Sequence, residues 1–387
     1  MYGIAHVGKS LLWTASDLLT LYLLVSVYRV DPIFAGALFL AGLAANALAD
    51  LGVGIWLERN PQHAARMAGG ALVLAAVSFP ATVLLAPYGL AVLLGATLVF
   101  RVAYAGCDVP HNALMTRLGE RSPERATWLA RVRTVGTALA SVSAALGVSG
   151  SGRVATAHLL WGIAGAALLI GSTMLPLLAA FPSVLRDRQR GRVRWIGLPL
   201  RFLAANVIGI VALGALAKAL LHMPAGLPYG MVPTAGKGTT ILVLLIVGRS
   251  AAALIPIRLG SSPRRGLALL AGAYLTAGIV AAGFAWSAPP AMLVLLGLAM
   301  GATNLIGWAL LPALAQGPRG YGVYTMASKL ALGAAGLALA GGLGRVPTFT
   351  PDAFAGFAIL AGLTCATAAL LATPRLTSLR RDGLSVP

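Results

Sequence analysis

Charge is what this sequence has least of. Only 10% of its 387 residues are charged, against about 25% in a soluble domain, and the mean hydropathy is +0.86. That balance excludes a soluble enzyme, a secreted scaffold and a disordered chain. Acids are the scarcer sign, 10 Asp and Glu against 29 Lys and Arg. Cysteine is nearly missing: Cys107 and Cys365 sit far apart inside apolar runs, so no disulfide framework is implied and each reads as a small core residue. The motifs of common chemistries are missing as well. The five histidines (His6, His63, His111, His158, His222) are dispersed, with no HExxH and no Cys/His spacing suited to a metal. No GxxxxGK[ST] phosphate loop occurs, and VSGSGRV at 148–154 reads as a Gly-Ser turn rather than a nucleophile elbow. No cofactor is expected.

What is abundant is apolar length. A membrane-crossing helix needs about 20 apolar residues, and twelve such runs are legible, near 8–28, 33–56, 67–86, 89–115, 126–148, 157–181, 199–221, 238–257, 266–286, 291–315, 321–343 and 353–373. None alternates with the period of two that a membrane barrel needs. The first run carries Lys9 and Asp17 and has no basic leader, unlike a cleavable signal. The 47 glycines follow no collagen period and suit closely packed apolar helices.

The bases that give the formal charge of +19 are not spread as in a nucleic-acid binder. They alternate from loop to loop. One face collects Arg59 and Arg66; Arg117, Arg121 and Arg125; six arginines between 186 and 201; Arg258, Arg264 and Arg265; Arg319; and Arg375, Arg380 and Arg381. The other face holds Arg29, Arg153, Lys237 and Arg345. The positive-inside rule then expects both termini in the cytoplasm. The longest basic stretch, LRDRQRGRVRW at 185–195, reads as a solvated linker beside anionic headgroups. It divides the chain into a six-helix bundle at 1–181, a linker at 182–198 and a second bundle at 199–387. Six plus six around a basic loop is the layout of major facilitator transporters. The expected fold is therefore all-α and polytopic, and layout alone gives no function.

Function is sought among ionisable residues inside the runs: Lys9, Asp17, Asp50, Arg101, Asp108, Arg131, Arg133, Lys218, Arg249 and Lys329. A charge at the bilayer centre costs about 2.5–3.5 kcal/mol even on the lenient scale, so most must pair or line water. Lys9, Arg131 and Lys218 also fit side chains snorkelling from helix ends. Arg101 also fits a structural partner for an acid, and Asp17 a polar helix contact. Asp50, Asp108, Arg133 and Lys329 favour function. Pro110 can open the helix beside Asp108, and His111 is the one histidine placed near that site.

The opening YGIAHVGKSLLWTASDLLTLYLLVSVYRVDPIFAGALFLAGLAANALADLGVGIWLERN, then YAGCDVPHNALMTRLGERSPERATWLARVRTVG, resembles the glycoside-pentoside-hexuronide cation symporters, the family that includes melibiose permease. GLAMGATNLIGWALLPALAQ and YGVYTMASKLALGAAGLALAG resemble that family's tenth and eleventh spans. The resemblance implies that Asp108 and Arg133 bind substrate, with Asn112, Lys9, Asp17 and His111 around them. It places Asp50, Asn46, Thr325 and Lys329 at the cation site. Several expected polar groups are replaced: Asn46 for an aspartate, Ser10 for an aspartate, Asn112 for a sugar-stacking tryptophan, and Ala49 and Ala105 for neutral oxygens. Such a site suits sodium poorly, so protons, or no ion, are the expected coupling.

The expectation is a secondary transporter, not an enzyme, of a small polar solute such as a glycoside or sugar acid. It is placed as a monomer in the lipid bilayer of a bacterial inner membrane, with no nucleic-acid partner. A lysophospholipid-type carrier and a non-transporting sensor or assembly factor are the alternatives. For Asp50 and Lys329, a proton-driven switch stands against a static salt bridge.

Overall fold

A computed structural model describes residues 1–18, 20, 23, 24, 27–119, 122–147, 153–180, 197–222, 237–257, 262–315, 317–343 and 349–374. The basic run at 185–195, most of the 182–198 linker and the tail beyond residue 374 lie outside the described residues. Among the described residues there are helices and no strands.

The first half contains α1 (Tyr2–Leu18), α2 (Pro32–Arg59), α3 (Ala64–Leu84), α4 (Leu90–Gly119) and α5 (Pro123–Gly147). It closes with α6, which runs Arg153–Gly171 and resumes at Met174–Ala180. The second half contains α7 (Leu200–Ala219), α8 (Lys237–Ala251), α9 (Pro263–Gly283), α10 (Pro290–Leu314), α11 (Gly317–Leu343) and α12 (Pro351–Ala372).

Proline and short polar side chains set several starts. Asp31 accepts from the Ile33 and Phe34 amides at 2.9 and 3.2 Å, just before Pro32 at the first position of α2. Thr350 caps α12 by accepting from the Ala353 amide at 3.3 Å, with Pro351 next. A side-chain oxygen there satisfies N–H groups that the helix itself cannot, and proline gives up none that were needed.

Among the described residues, nine helices are long and apolar enough to cross a membrane. The three others are α1, α5 and α8. They carry Lys9 and Asp17, Arg131 and Arg133, and Arg249 respectively. The described parts of α1 and α8 are short, 17 and 15 residues, and in α5 polar and charged residues lower the hydropathy.

The two halves repeat one packing scheme. In the first, α1 packs on α5 and α6, α4 on α2 and α3, and α3 on α6. In the second, α7 packs on α11 and α12, α10 on α8 and α9, and α9 on α12. The halves meet mainly along α2 and α11, with α5 against α10 and α8, and α4 against α10 and α11.

That seam is tight at one end. A Cβ on Gly54 would lie 2.9 Å from the Pro318 carbonyl and 3.3 Å from Gly322 Cα, so only glycine permits the approach of α2 to α11. Beside it Glu58 pairs with Arg319 at 2.6 Å. Thr116 donates to the Tyr321 hydroxyl at 3.0 Å, and Arg131 donates across the halves to the Ile255 carbonyl at 2.7 Å. Between described residues, no hydrogen bond or ion pair joins the halves at the opposite end.

Candidate functional site

Above that seal lies a cavity of about 240 Å³ lined by both halves. Helical periodicity explains which side chains reach it. Positions three or four apart share a face, so α1 offers His6, Lys9, Ser10 and Trp13, and α4 offers Tyr104, Asp108 and Asn112.

One polar cluster joins α1, α4 and α5. Lys9 forms an ion pair with Asp108 and donates to Asn112 Oδ1 at 2.9 Å. Asn112 Nδ2 donates to Asp108 Oδ1 at 3.0 Å. Arg133 Nη1 donates to Asn112 Oδ1 at 2.7 Å and to the Tyr2 hydroxyl at 3.1 Å. The guanidinium also lies 3.6 Å from the centroid of the Trp308 ring on α10, in the other half. A planar cation over an indole face is attracted by the ring quadrupole. Asn112 therefore ties Lys9 to Arg133 through a single amide oxygen.

A second cluster joins α2 and α11. Lys329 Nζ bonds Asp50 Oδ2 at 2.6 Å and stands 3.6 Å from Asp108 Oδ2. One ammonium of the second half thus serves two carboxylates of the first. Asp50 has no exposed surface and Lys329 only 5%. Removing one partner from such a buried group leaves an uncompensated charge, typically costing about 3–5 kcal/mol.

The structure brings together Lys9, Asp108, Asn112 and Arg133, and sets Asp50 and Lys329 beside them, joined through Asp108. Lys9 does not snorkel, because it is 2% exposed and ion-paired. Thr325 lines the cavity one turn from Lys329, while its hydroxyl donates back to the Tyr321 carbonyl at 2.9 Å. Asn46 lies one turn before Asp50 and donates to the Arg101 carbonyl at 2.7 Å.

Two expected pocket residues stand elsewhere. His111 is fully buried, does not line the cavity, and stacks on Tyr2 at 4.5 Å. Asn112 lines the cavity, and His111, its neighbour on α4, is turned about 100° away from it. Asp17 is an exposed residue on the last turn of α1, one turn beyond Trp13, and is not part of the lining. Arg101 is 2% exposed and lies 5.3 Å from the Trp13 ring centroid and 5.5 Å from those of Phe39 and Phe100. No acid pairs with it among the described residues.

The second half supplies what sequence reasoning missed. Tyr324 donates to Asn206 Oδ1 at 3.1 Å, and Asn206 Nδ2 donates to Ser328 Oγ at 3.2 Å. With Thr303, Asn304 and Trp308 these make a neutral hydrogen-bonding wall opposite the charged one. Arg249 on α8 lines the cavity too. Its charge inside an apolar run was the available signal. The neutral wall has none, since Asn and Thr do not stand out among small apolar residues.

Solved structures of the same shape exist at low identity. The human organic anion transporter MFSD10 matches with a TM-score of 0.58 and 17% identity over 96% of each chain. A bacterial homologue of the iron transporter ferroportin, in its outward-facing state, matches at 0.64 and 15%, over 96% of this chain and 97% of that one. The proton:xylose symporter XylE matches at 0.62 and 12%, over 93% of both. The fold is that of the major facilitator transporters. No protein-family model and no curated relative matches the sequence. These likenesses are to transporters of the superfamily and do not single out the glycoside-pentoside-hexuronide branch.

Proposed function

We propose that the chain is a secondary transporter that carries a small polar solute by alternating access. The observation that carries this reading is Lys329. It reaches from one half to two carboxylates of the other at the cavity, while among the described residues hydrogen bonds and ion pairs tie the halves together at one of the two ends. A contact of this kind must change when the halves rock about a central site. With basic loops on the cytoplasmic side, the sealed end is inside and the structure faces outward.

Protons are the proposed coupling ion, as they are for XylE by its description and for a fucose:proton symporter of the same shape. Protonation of Asp50 frees Lys329 to pair with Asp108 alone, and ionisation draws it back. The glycoside-pentoside-hexuronide resemblance supports the same two clusters. The cavity lies below the roughly 300–1,000 Å³ of drug-sized sites, which favours a small solute over a lysophospholipid.

Purified protein in liposomes, offered a panel of sugars, sugar acids and polyols, tests the reading. Uptake driven by an inward proton gradient and abolished in Asp50→Asn is expected. Uptake that responds only to sodium, with Asp50→Asn unimpaired, overturns the coupling. Absence of both flux and ligand-induced thermal stabilisation across the panel overturns the transporter.

A further inference from the structure

Charge at the cavity does not balance. Its lining holds four cations, Lys9, Arg133, Arg249 and Lys329, and one carboxylate, Asp108. Adding Asp50 behind Lys329 accounts for both lysines, each of which is ion-paired. Neither arginine is within ion-pair distance of an acid among the described residues. Arg133 at least has Asn112, Tyr2 and the Trp308 ring. Among the described residues, Arg249 has no comparable set of partners.

The excess is built into the sequence. Residues 199–387 contain two acids in all, Asp352 and Asp382. Asp352 lies at the first turn of α12, and Asp382 in the tail beyond the described residues. Among the described residues, no acid of its own half forms an ion pair with Arg249. From the first half, Asp17 on the last turn of α1 is the carboxylate whose field reaches it, without forming an ion pair.

Arg249 is also held in place rather than left at a frayed end. Gly297 and Gly301 let α10 run against the α8 backbone at this level. A Cβ on Gly297 would meet the Arg249 amide at 3.0 Å, and one on Gly301 would crowd the Arg249 carbonyl. The side chain is exposed although it stands on a helix packed into the bundle, because the cavity is what it faces.

We propose that the solute is an anion, a small polyol-like molecule with one carboxylate or phosphate, and that Arg249 binds its anionic group. The inference rests on the transporter reading and narrows its substrate from neutral or acidic to acidic. A guanidinium matches either anion with paired N–H donors. The hydroxyl end of the solute then meets Asp108, Asn112 and the neutral wall of Asn206, Thr303 and Asn304.

The test uses the purified full-length chain in detergent and matched sets of probes: a neutral hexose, its uronic acid, its 6-phosphate and its amine, with pentose and polyol counterparts. Thermal stabilisation against concentration gives the affinity, and liposome uptake gives flux. Anionic members should bind about tenfold or more tightly than their neutral partners, the scale of one charge-assisted hydrogen bond. The uronic acid and the 6-phosphate decide between the two anions. Arg249→Gln should abolish the preference for anionic over neutral members, and Arg249→Lys should restore part of it. If neutral or amine members bind as tightly as the acids, or if Arg249→Gln keeps the preference, the anion inference falls and the transporter stands. If nothing binds and nothing moves, the transporter reading falls first.

Discussion

Arg133 does two jobs that an ammonium cannot combine. Its guanidinium bonds Asn112 and Tyr2 on one edge and lies flat over Trp308 with its face. Lysine keeps the charge and loses the plane. Arg133→Lys should therefore weaken solute binding about tenfold and Arg133→Ala more, read as the shift in half-saturating concentration for thermal stabilisation. Equal binding in Arg133→Lys and the parent would show that the stacked plane is irrelevant. Lys329 predicts differently. Lys329→Met leaves Asp50 buried without its cation and should lower stability by about 3–5 kcal/mol, whereas the double change Lys329→Met with Asp50→Leu should recover most of it. Failure of the double change to recover would argue against a simple pair.

The residues behind these predictions were legible because they are charges in apolar runs. Lys9, Asp50, Asp108, Arg133 and Lys329 announce themselves that way. What periodicity alone misplaced was orientation. His111 adjoins Asn112 in the chain, yet a helix turns about 100° per residue, so the two face apart, while Asp17 follows Trp13 by one turn and lies past the end of the lining. Trp308 and Asn206 carried no such signal.

At the scale of elements, the reading of apolar runs found the helices, and their caps and prolines agree with it. α1, α5 and α8 bring Lys9, Arg133 and Arg249 to the cavity lining. α8 shows how position is enforced: it is held by two glycines of α10 at Leu245 and Arg249. Gly301→Val inserts methyl groups where backbone already stands. Overpacking of this kind typically costs about 1–3 kcal/mol, and it should shift α8 with Arg249. A lower melting temperature together with reduced discrimination between acidic and neutral probes is expected. A normal melting temperature would mean the helices can part without cost.

For the whole molecule, the seal between α2 and α11 predicts one-sided access. Cys107 and Cys365 are buried, so a single introduced thiol can be read against little background. Asn304→Cys, on the cavity wall, should react with a membrane-impermeant thiol reagent supplied from outside, and addition of a bound solute should slow it. Reaction only from the cytoplasmic side would reverse the orientation. The repeated packing of the two halves was implied by six and six runs around a basic loop, but the place where they touch was not. No hydropathy pattern distinguishes Gly54 from other glycines; its meaning lies in Gly322 and Pro318, more than 260 residues away.

The pairing of Gly54 with the Gly322 turn sets the closest distance the halves can reach through absent atoms rather than through bonds. It therefore acts as a gauge. Replacing Gly54 by Ala, Val and Leu adds thickness in steps without adding charge or hydrogen bonds, so the series should hold the sealed end progressively ajar. Conformational balance then becomes a graded variable, and flux should fall along the series while access of Asn304→Cys from the cytoplasmic side rises in the same order.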